Sequence, residues 1–434
     1  MNWLSARITF FIIVFTIAIL SSCANSMQSV AIIGGGISGL SCAQFLRTSS
    51  KYVPTVFDTG RLRPGGRCSA RLPTDATADT KDGILSSCVV DHATQVIRVP
   101  EGFTEFRAQV NEWVGGEVLA QFPPNSLSTL TANSNSNSKT HQPIEAEAYY
   151  GVGGMNALPA SLSSGLNVVQ DCWVSPSNGV KFNKRDGKWT VKAKGENLGT
   201  FDKLIIAHNG KCADRLMSKT PSKKLHKLLR VNFADRVSKE GGKRMTLKSI
   251  YSLTFVVGKG SELSEKFNGV ACYIKGDKNL KFLSSNTRKH GREDDEKEVW
   301  TVLSSAQFGK KFKGPQENLP EDLARNVTSL LMGSLEEVFG LERKLEVEEQ
   351  KLQLWGAGVP LNTWSGEGFL YDAENNVGCV GDWLVEPSVA GAWESGRRLA
   401  AFLEVGTEGN VGIDDGQGEW KFNEGANDNG IGDV

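Results

Sequence analysis

The chain lacks most of the residue groupings from which protein side chains build chemistry. Its five histidines are dispersed, so no ligand spacing points to a metal and no metal site is assigned. The eight cysteines, Cys23, Cys42, Cys68, Cys88, Cys172, Cys212, Cys272 and Cys379, contain no C-x-x-C pair. In a chain of this size they read as small buried apolar side chains, although an oxidising compartment would permit one disulfide. No Ser-His-Asp, Cys-His or paired-carboxylate constellation stands out, so acid-base or nucleophilic chemistry by side chains alone is not indicated. Charge of either sign is not in excess: Lys plus Arg and Asp plus Glu both number 49. That balance excludes a bulk field favouring nucleic acid or an anionic membrane.

A bilayer-length apolar run is missing as well. Arg7 precedes an uncharged stretch from Ile8 to Leu20, shorter than the roughly twenty residues that span a membrane. With the small and polar residues that follow, residues 1–27 read as a secretory signal peptide. An uncleaved membrane anchor, a lipid anchor at Cys23 within Leu20-Ser21-Ser22-Cys23, and the start of a plastid route remain alternatives. Asn326-Val327-Thr328 is a glycosylation acceptor pattern that matters only on a eukaryotic lumenal route.

What the chain does have is length, glycine and a dense early motif. Its 434 residues, 39% hydrophobic and 23% charged, suffice for two soluble domains with substantial cores. The apolar run Val30-Ala31-Ile32-Ile33 ends in Gly34-Gly35-Gly36-Ile37-Ser38-Gly39, the G-x-G-x-x-G spacing that opens a dinucleotide-binding βαβ unit. Gly34 would permit the turn, Gly36 would let backbone approach a pyrophosphate, and Gly39 would let the helix pack on its strand. Ser38 lies in the first helical turn, whose N–H groups face phosphate. Thr55-Val56-Phe57-Asp58 reads as the second strand, with Asp58 at the distance of a ribose-binding carboxylate. As a surface acid on a loop end, Asp58 is expected to serve binding and little else.

Arg61-Leu62-Arg63-Pro64-Gly65-Gly66-Arg67-Cys68-Ser69-Ala70-Arg71 follows, and Val380-Gly381-Asp382-Trp383 with Ser388-Val389-Ala390-Gly391-Ala392-Trp393-Glu394-Ser395-Gly396 lies far downstream. This pairing resembles the flavin-dependent amine oxidase superfamily. Asp91-His92-Ala93-Thr94-Gln95 and Tyr150-Gly151-Val152-Gly153-Gly154-Met155-Asn156-Ala157-Leu158 narrow the resemblance to the renalase-like group. Ala93 and Thr94 depart from that group's usual Gly and Ala, so the backbone beside the flavin is expected to differ there.

The resemblance implies FAD as cofactor. It places Gly66 and Arg67 at the pyrophosphate, Val174 against the adenine, Gly381 and Asp382 beside the ribityl chain, and Val389 and Ala390 at a helix start facing the flavin N1 and C2 carbonyl. Arg67 also reads as a surface arginine in a glycine turn. His92 and Gln95 are weak catalytic candidates, and for His92 a structural hydrogen bond is at least as good a reading. Trp355, Trp364, Trp383, Trp393 and Phe308 are candidate walls of an aromatic pocket, with core packing the default for most.

The expected fold is α/β: a Rossmann-type FAD-binding domain assembled discontinuously from 28–110, 165–212 and 365–405, and an α+β substrate domain from 111–164 and 213–364. In the latter, Ile250 to Val257 reads as a strand and Leu319 to Val338 as an amphipathic helix. Leu166 to Val169, Trp173-Val174, Trp189 to Val191 and Phe201 to Ala207 read as strands returning to the first domain. Pro123 to Pro143 and an acidic tail, 406–434, are expected to be poorly ordered.

The implied function is an oxidase passing hydride from a small-molecule substrate to flavin and on to O2, giving hydrogen peroxide, with dihydronicotinamide isomers of NAD(P)H as the renalase-like substrate. Oxidation of a small amine, with Lys248 as a possible water-holding lysine, and a non-catalytic flavin-binding interaction protein remain alternatives. No nucleic-acid partner is implied, membrane association only through the N-terminal segment, and the sequence carries no signal of oligomeric state.

Overall fold

A computed structural model of the chain describes residues 27–75, 83–132, 139–292, 295–316, 318–406 and 409–423. The signal or anchor segment, Cys23 included, and the Asn-Ser repeat at 133–138 lie outside the described residues.

Strand β1 (Gln28–Ile33) is flanked by β2 (Tyr52–Phe57) and β4 (Lys203–Ile206), all parallel. β3 (Asn167–Val169) extends the β2 edge. On the other side β6 (Val377–Cys379) pairs parallel to β4, and β5 (Leu370–Asp372) pairs antiparallel to β6. The order β3-β2-β1-β4-β6-β5 makes one six-stranded sheet. Val30 to Ile33 can be an unbroken apolar run because both faces of this central strand are covered.

On one face, Val30 and Ile32 join a core built on helix α1 (Ile37–Thr48) and helix α2 (Val389–Val405). On the other, Ala31 and Ile33 meet a three-stranded meander, 180–183, 188–193 and 196–201. The α1 and α2 backbones nearly touch: a Cβ on Gly396 would lie 2.3 Å from the Ser38 carbonyl oxygen, and Ser41 Oγ donates to the Trp393 carbonyl at 2.7 Å. That close crossing brings both helix N-termini to the carboxyl end of the same sheet.

The second sheet has eight strands centred on Met245–Gly258, which pairs antiparallel with Lys297–Ser304 and with Glu349–Pro360. It is mixed, because Leu127–Ala132 and Val231–Phe233 pair parallel to their neighbours. Helix Glu321–Phe339 covers its own core cluster, burying Val327, Leu331, Leu335 and Val338.

Three expectations need correction. Leu127–Ala132 and Lys139–Pro143 are a paired hairpin at the edge of the large sheet, since Leu127 and Leu130 each have a core to enter and the repeat supplies only the connection. Part of the tail is also ordered: Trp420–Phe422 pairs with Asn362–Trp364, and Ile413 is buried. The Trp420 ring packs against Trp364 and Trp383, and such aromatic contacts outweigh the surrounding Gly and Asp. Trp173-Val174 forms no strand, only an isolated bridge from Val174 to Ala193, and Trp189 to Val191 lies in the covering meander, whereas Phe201 to Ala207 does enter the main sheet as β4.

Candidate dinucleotide site

A cleft of about 380 Å³, open to solvent, runs along the carboxyl end of the six-stranded sheet, the place where open α/β sheets bind ligands. That volume falls within the usual small-ligand range of about 300–1,000 Å³. The turn from β1 to α1 forms its floor. Gly34 has φ +115°, the left-handed side that favours glycine. A Cβ on Gly39 would sit 2.1 Å from the Gly34 carbonyl oxygen, whereas a Cβ on Gly36 would meet no atom within 4 Å. Gly39 is therefore required by the protein itself, and Gly36 leaves open space in front of the helix N-terminus.

Both α1 and α2 start at this cleft, and neither has an acid in its first turn. Helix N-termini suit negative charge, although the Asp58 carboxylate already accepts the Gly35 amide beside α1 and Glu386 contacts the Ser388 cap of α2. Ser388 caps α2, its Oγ accepting from the Gly391 amide at 2.9 Å.

Gly34, Gly36, Ser38, Asp58, Gly66, Arg67, Val174, Gly381, Asp382 and Val389 all line this cleft. Gly39 lies behind the wall, as its packing role demands. Ala390 does not line it: fully buried in the α1–α2 core, it is replaced on the wall by Ala392, one turn along from Ser388.

Two roles change. Asp58 is no surface acid: it is 8% exposed, and its carboxylate accepts the Gly35 amide and the Gly60 amide, each at 2.9 Å, so it ties the two loops together. Arg67 and Asp382, expected to meet the ligand separately, pair with each other at 2.7 Å. Arg67 also donates to the Gly358 carbonyl at 2.9 Å and thereby links the second sheet to the cleft.

His92 and Gln95 are not on the wall. His92 stacks on Trp355 at 5.8 Å and contacts Ser69 Oγ through Nε2 at 3.1 Å. Burial, helped by Arg71, pulls its imidazole down to about 4, so it is neutral at physiological pH. Gln95 donates to the Asp91 carbonyl and accepts from Lys289 Nζ at 2.9 Å. Lys289 Nζ and His290 Nε2 reach Asp91 at 2.7 Å and 3.2 Å. Burial would raise the Asp91 carboxyl, but these two partners hold it well below the usual carboxylate range. This buried network ties the 91–95 segment to Lys289 and His290 at the second sheet, which accounts for Gln95 without chemistry.

Of the aromatic candidates, Trp355 and Trp383 line the cleft. Trp364 packs on Trp420, while Trp393 and Phe308 are core. Lys248 is buried on the long central strand, where desolvation and nearby Lys281 push its ammonium down to about 7.

The sequence reading missed Trp173, His208 and Asn209, all on the wall. The signal was available for the last two, because His208 and Asn209 follow β4, whose carboxyl end must face the same cleft. Burial pushes the His208 imidazole down, and its Nδ1 lies 3.1 Å from the Ile33 carbonyl oxygen. Among the described residues no group of three His, Cys, Asp or Glu side chains is placed to hold a metal ion, no disulfide joins the cysteines, and no helix is long and apolar enough to cross a membrane.

Residues 32–113 match the family model described as "NAD(P)-binding Rossmann-like domain". Among solved structures the chain is similar to a candidate protoporphyrinogen oxidase from Exiguobacterium sp. 255-15, with TM-score 0.59, 11% identity and coverage of 88% of this chain and 100% of that one. Cyclohexylamine oxidase from Brevibacterium oxydans IH-35A gives TM-score 0.58, 12% identity and coverage of 88% and 99%. Wild-type putrescine oxidase bound to putrescine gives 0.56, 13%, 88% and 99%. At these identities the shared property is the fold, an α/β dinucleotide domain joined to a second sheet.

Proposed function

We propose that this chain is an FAD-dependent oxidoreductase of the oxidase type, acting on a small molecule with O2 as acceptor. One observation carries the reading: two helix N-termini with no acid in their own first turns converge on a cleft in which a Cβ on Gly36 would meet no described atom within 4 Å. A second orphan agrees with it. The Trp383 indole N–H, buried in the cleft wall beside Gly381, has no acceptor among the described residues, and such a group normally finds a partner.

In this reading the first turn of α1 and Gly36 hold the pyrophosphate, and the oxygens of Asp58, with lone pairs beyond the two amides they accept, take the ribose hydroxyls. Arg67 and Asp382 fix the wall at the ribityl chain, and the Ser388-capped start of α2 presents N–H groups to the electron-rich edge of the ring, stabilising negative charge by about 0.3–2 kcal/mol. When bound, FAD supplies two-electron chemistry, accepting a substrate hydride that ends on O2 as hydrogen peroxide. His92, neutral and off the wall, holds Trp355 and moves no proton.

The likeness at 65–71, 91–95, 150–158 and 381–396 supports a renalase-like substrate, a dihydronicotinamide isomer of NAD(P)H. Oxidation of a small amine is the second reading, favoured by Lys248: an ammonium pushed down to about 7 is a lysine available in the neutral form. The test is to record the visible spectrum of the purified protein and mix it anaerobically with dihydronicotinamide isomers and with primary and secondary amines. Bleaching by the former alone supports the renalase-like reading, bleaching by amines alone replaces it with the second, and a colourless protein that takes up no FAD refutes both.

A further inference from the structure

Beyond Asp58, the β2 end of the cleft carries an exposed tryptophan. The segment that holds it is laced to β2: the Asp58 amide donates to the Val169 carbonyl at 2.9 Å, the Cys172 amide to the Asp58 carbonyl at 2.8 Å, and the Asp171 amide to the Gly60 carbonyl at 2.9 Å. Its backbone then alternates. Cys172 and Val174 pack into the core at the cleft wall, each 6% exposed, while Trp173 between them is 52% exposed at the same wall. Val174 is pinned by its bridge to Ala193, so Trp173 cannot turn inward without pulling a core side chain out. The indole packs against no other aromatic ring among the described residues.

A large apolar ring is held in water at the end of the cleft, beside the segment that carries the Asp58 carboxylate. Covering it removes apolar surface from water, and a purine is flat, aromatic and of matching size. We propose that Trp173 is the stacking platform for the adenine of the dinucleotide, so that the site selects cofactors carrying an adenosine over those ending at the flavin phosphate. This rests on the FAD reading above. It assigns the base contact to a side chain and leaves Val174 as the residue that fixes that side chain's direction.

The experiment measures binding of FAD, ADP and FMN to flavin-stripped protein by calorimetry, for the parent, Trp173→Ala and Trp173→Phe. Base stacking on an aromatic side chain, removed by alanine, costs roughly five- to 150-fold in affinity. Trp173→Ala is expected to weaken FAD and ADP by roughly tenfold or more within that range, with FMN unchanged, and Trp173→Phe to restore most of the loss. Equal FAD and ADP affinities in parent and Trp173→Ala would overturn the assignment, as would an equal loss for FMN. A parent that binds neither FAD nor ADP would instead remove the FAD reading itself.

Discussion

Replacing Asp58 with Ala separates a binding carboxylate from a structural one. In the folded chain Asp58 accepts two backbone amides, from Gly35 in the β1–α1 turn and from Gly60 beyond β2, each at 2.9 Å. A hydrogen bond to a charged group contributes about 1.5–3 kcal/mol net. Because water reaches the cleft side and can replace part of each bond, the lower figure applies, giving a loss of about 3 kcal/mol for the pair. For 434 residues, unfolding entropy of about 2.1 cal/mol/K per residue converts that loss into a fall in melting midpoint of about 3 °C. Scanning calorimetry on flavin-stripped parent and Asp58→Ala measures it without any contribution from ligand. The flavin content of the purified variant, read from visible absorbance per protein, is expected to fall as well, because the Gly35 amide loses its anchor. An unchanged midpoint together with full flavin content would refute both roles assigned to this carboxylate.

Gly36→Val fits a backbone at φ −76° and ψ 177° and would meet no protein atom with its Cβ; the midpoint without ligand should therefore hold while flavin content drops to near zero, and full occupancy would show that the turn holds no phosphate. Lys248 has a folded value of about 7 against an ordinary 10.5, so below pH 7 both states carry the proton and the folded state bears the whole cost of burying it. Between pH 7 and 10.5 only the unfolded chain binds that proton, and stability rises with pH through this window. Lys248→Met should then stabilise more at pH 6 than at pH 10 in urea titrations, and an equal gain at both would refute the lowered value. His92→Ala should reduce substrate turnover by far less than the roughly hundredfold that loss of a general acid or base costs; abolished turnover with FAD still bound would make His92 catalytic and move amine oxidation ahead.

The parallel sheet was legible because β1, β2 and β4 are local words: an apolar run ending in glycines, or a short run rich in branched and aromatic residues. The hairpin at Leu127–Ala132 and Lys139–Pro143 was not, since the strongest local signal there is the Asn-Ser repeat between its strands. Leu130 enters a core whose buried members lie more than a hundred positions away, and Leu127 enters one that joins nearby Phe122 and Ala148 to remote Ile250 and Leu303; window-sized reading does not see the remote partners. Trp420 repeats the lesson in the tail. A single ring packed between Trp364 and Trp383 fixes a segment whose composition argues for a free chain.

The site divides along the same line. Which residues face the cleft follows from the carboxyl-end rule and the glycine spacing, and nearly all the expected wall residues are there. What each residue does there depends on partners remote in sequence, and spacing says nothing about those: Asp382 is met by Arg67 from 315 positions earlier, and Gln95 is taken by Lys289. The motif's own glycines show how far spacing reaches. It treats Gly36 and Gly39 alike, yet a methyl group on Gly39 would collide with the Gly34 carbonyl at 2.1 Å, whereas one on Gly36 would enter open cleft. One glycine is required by the packing of helix on strand. The other meets no such constraint from the fold, and under the proposed FAD reading it keeps the backbone open to the pyrophosphate.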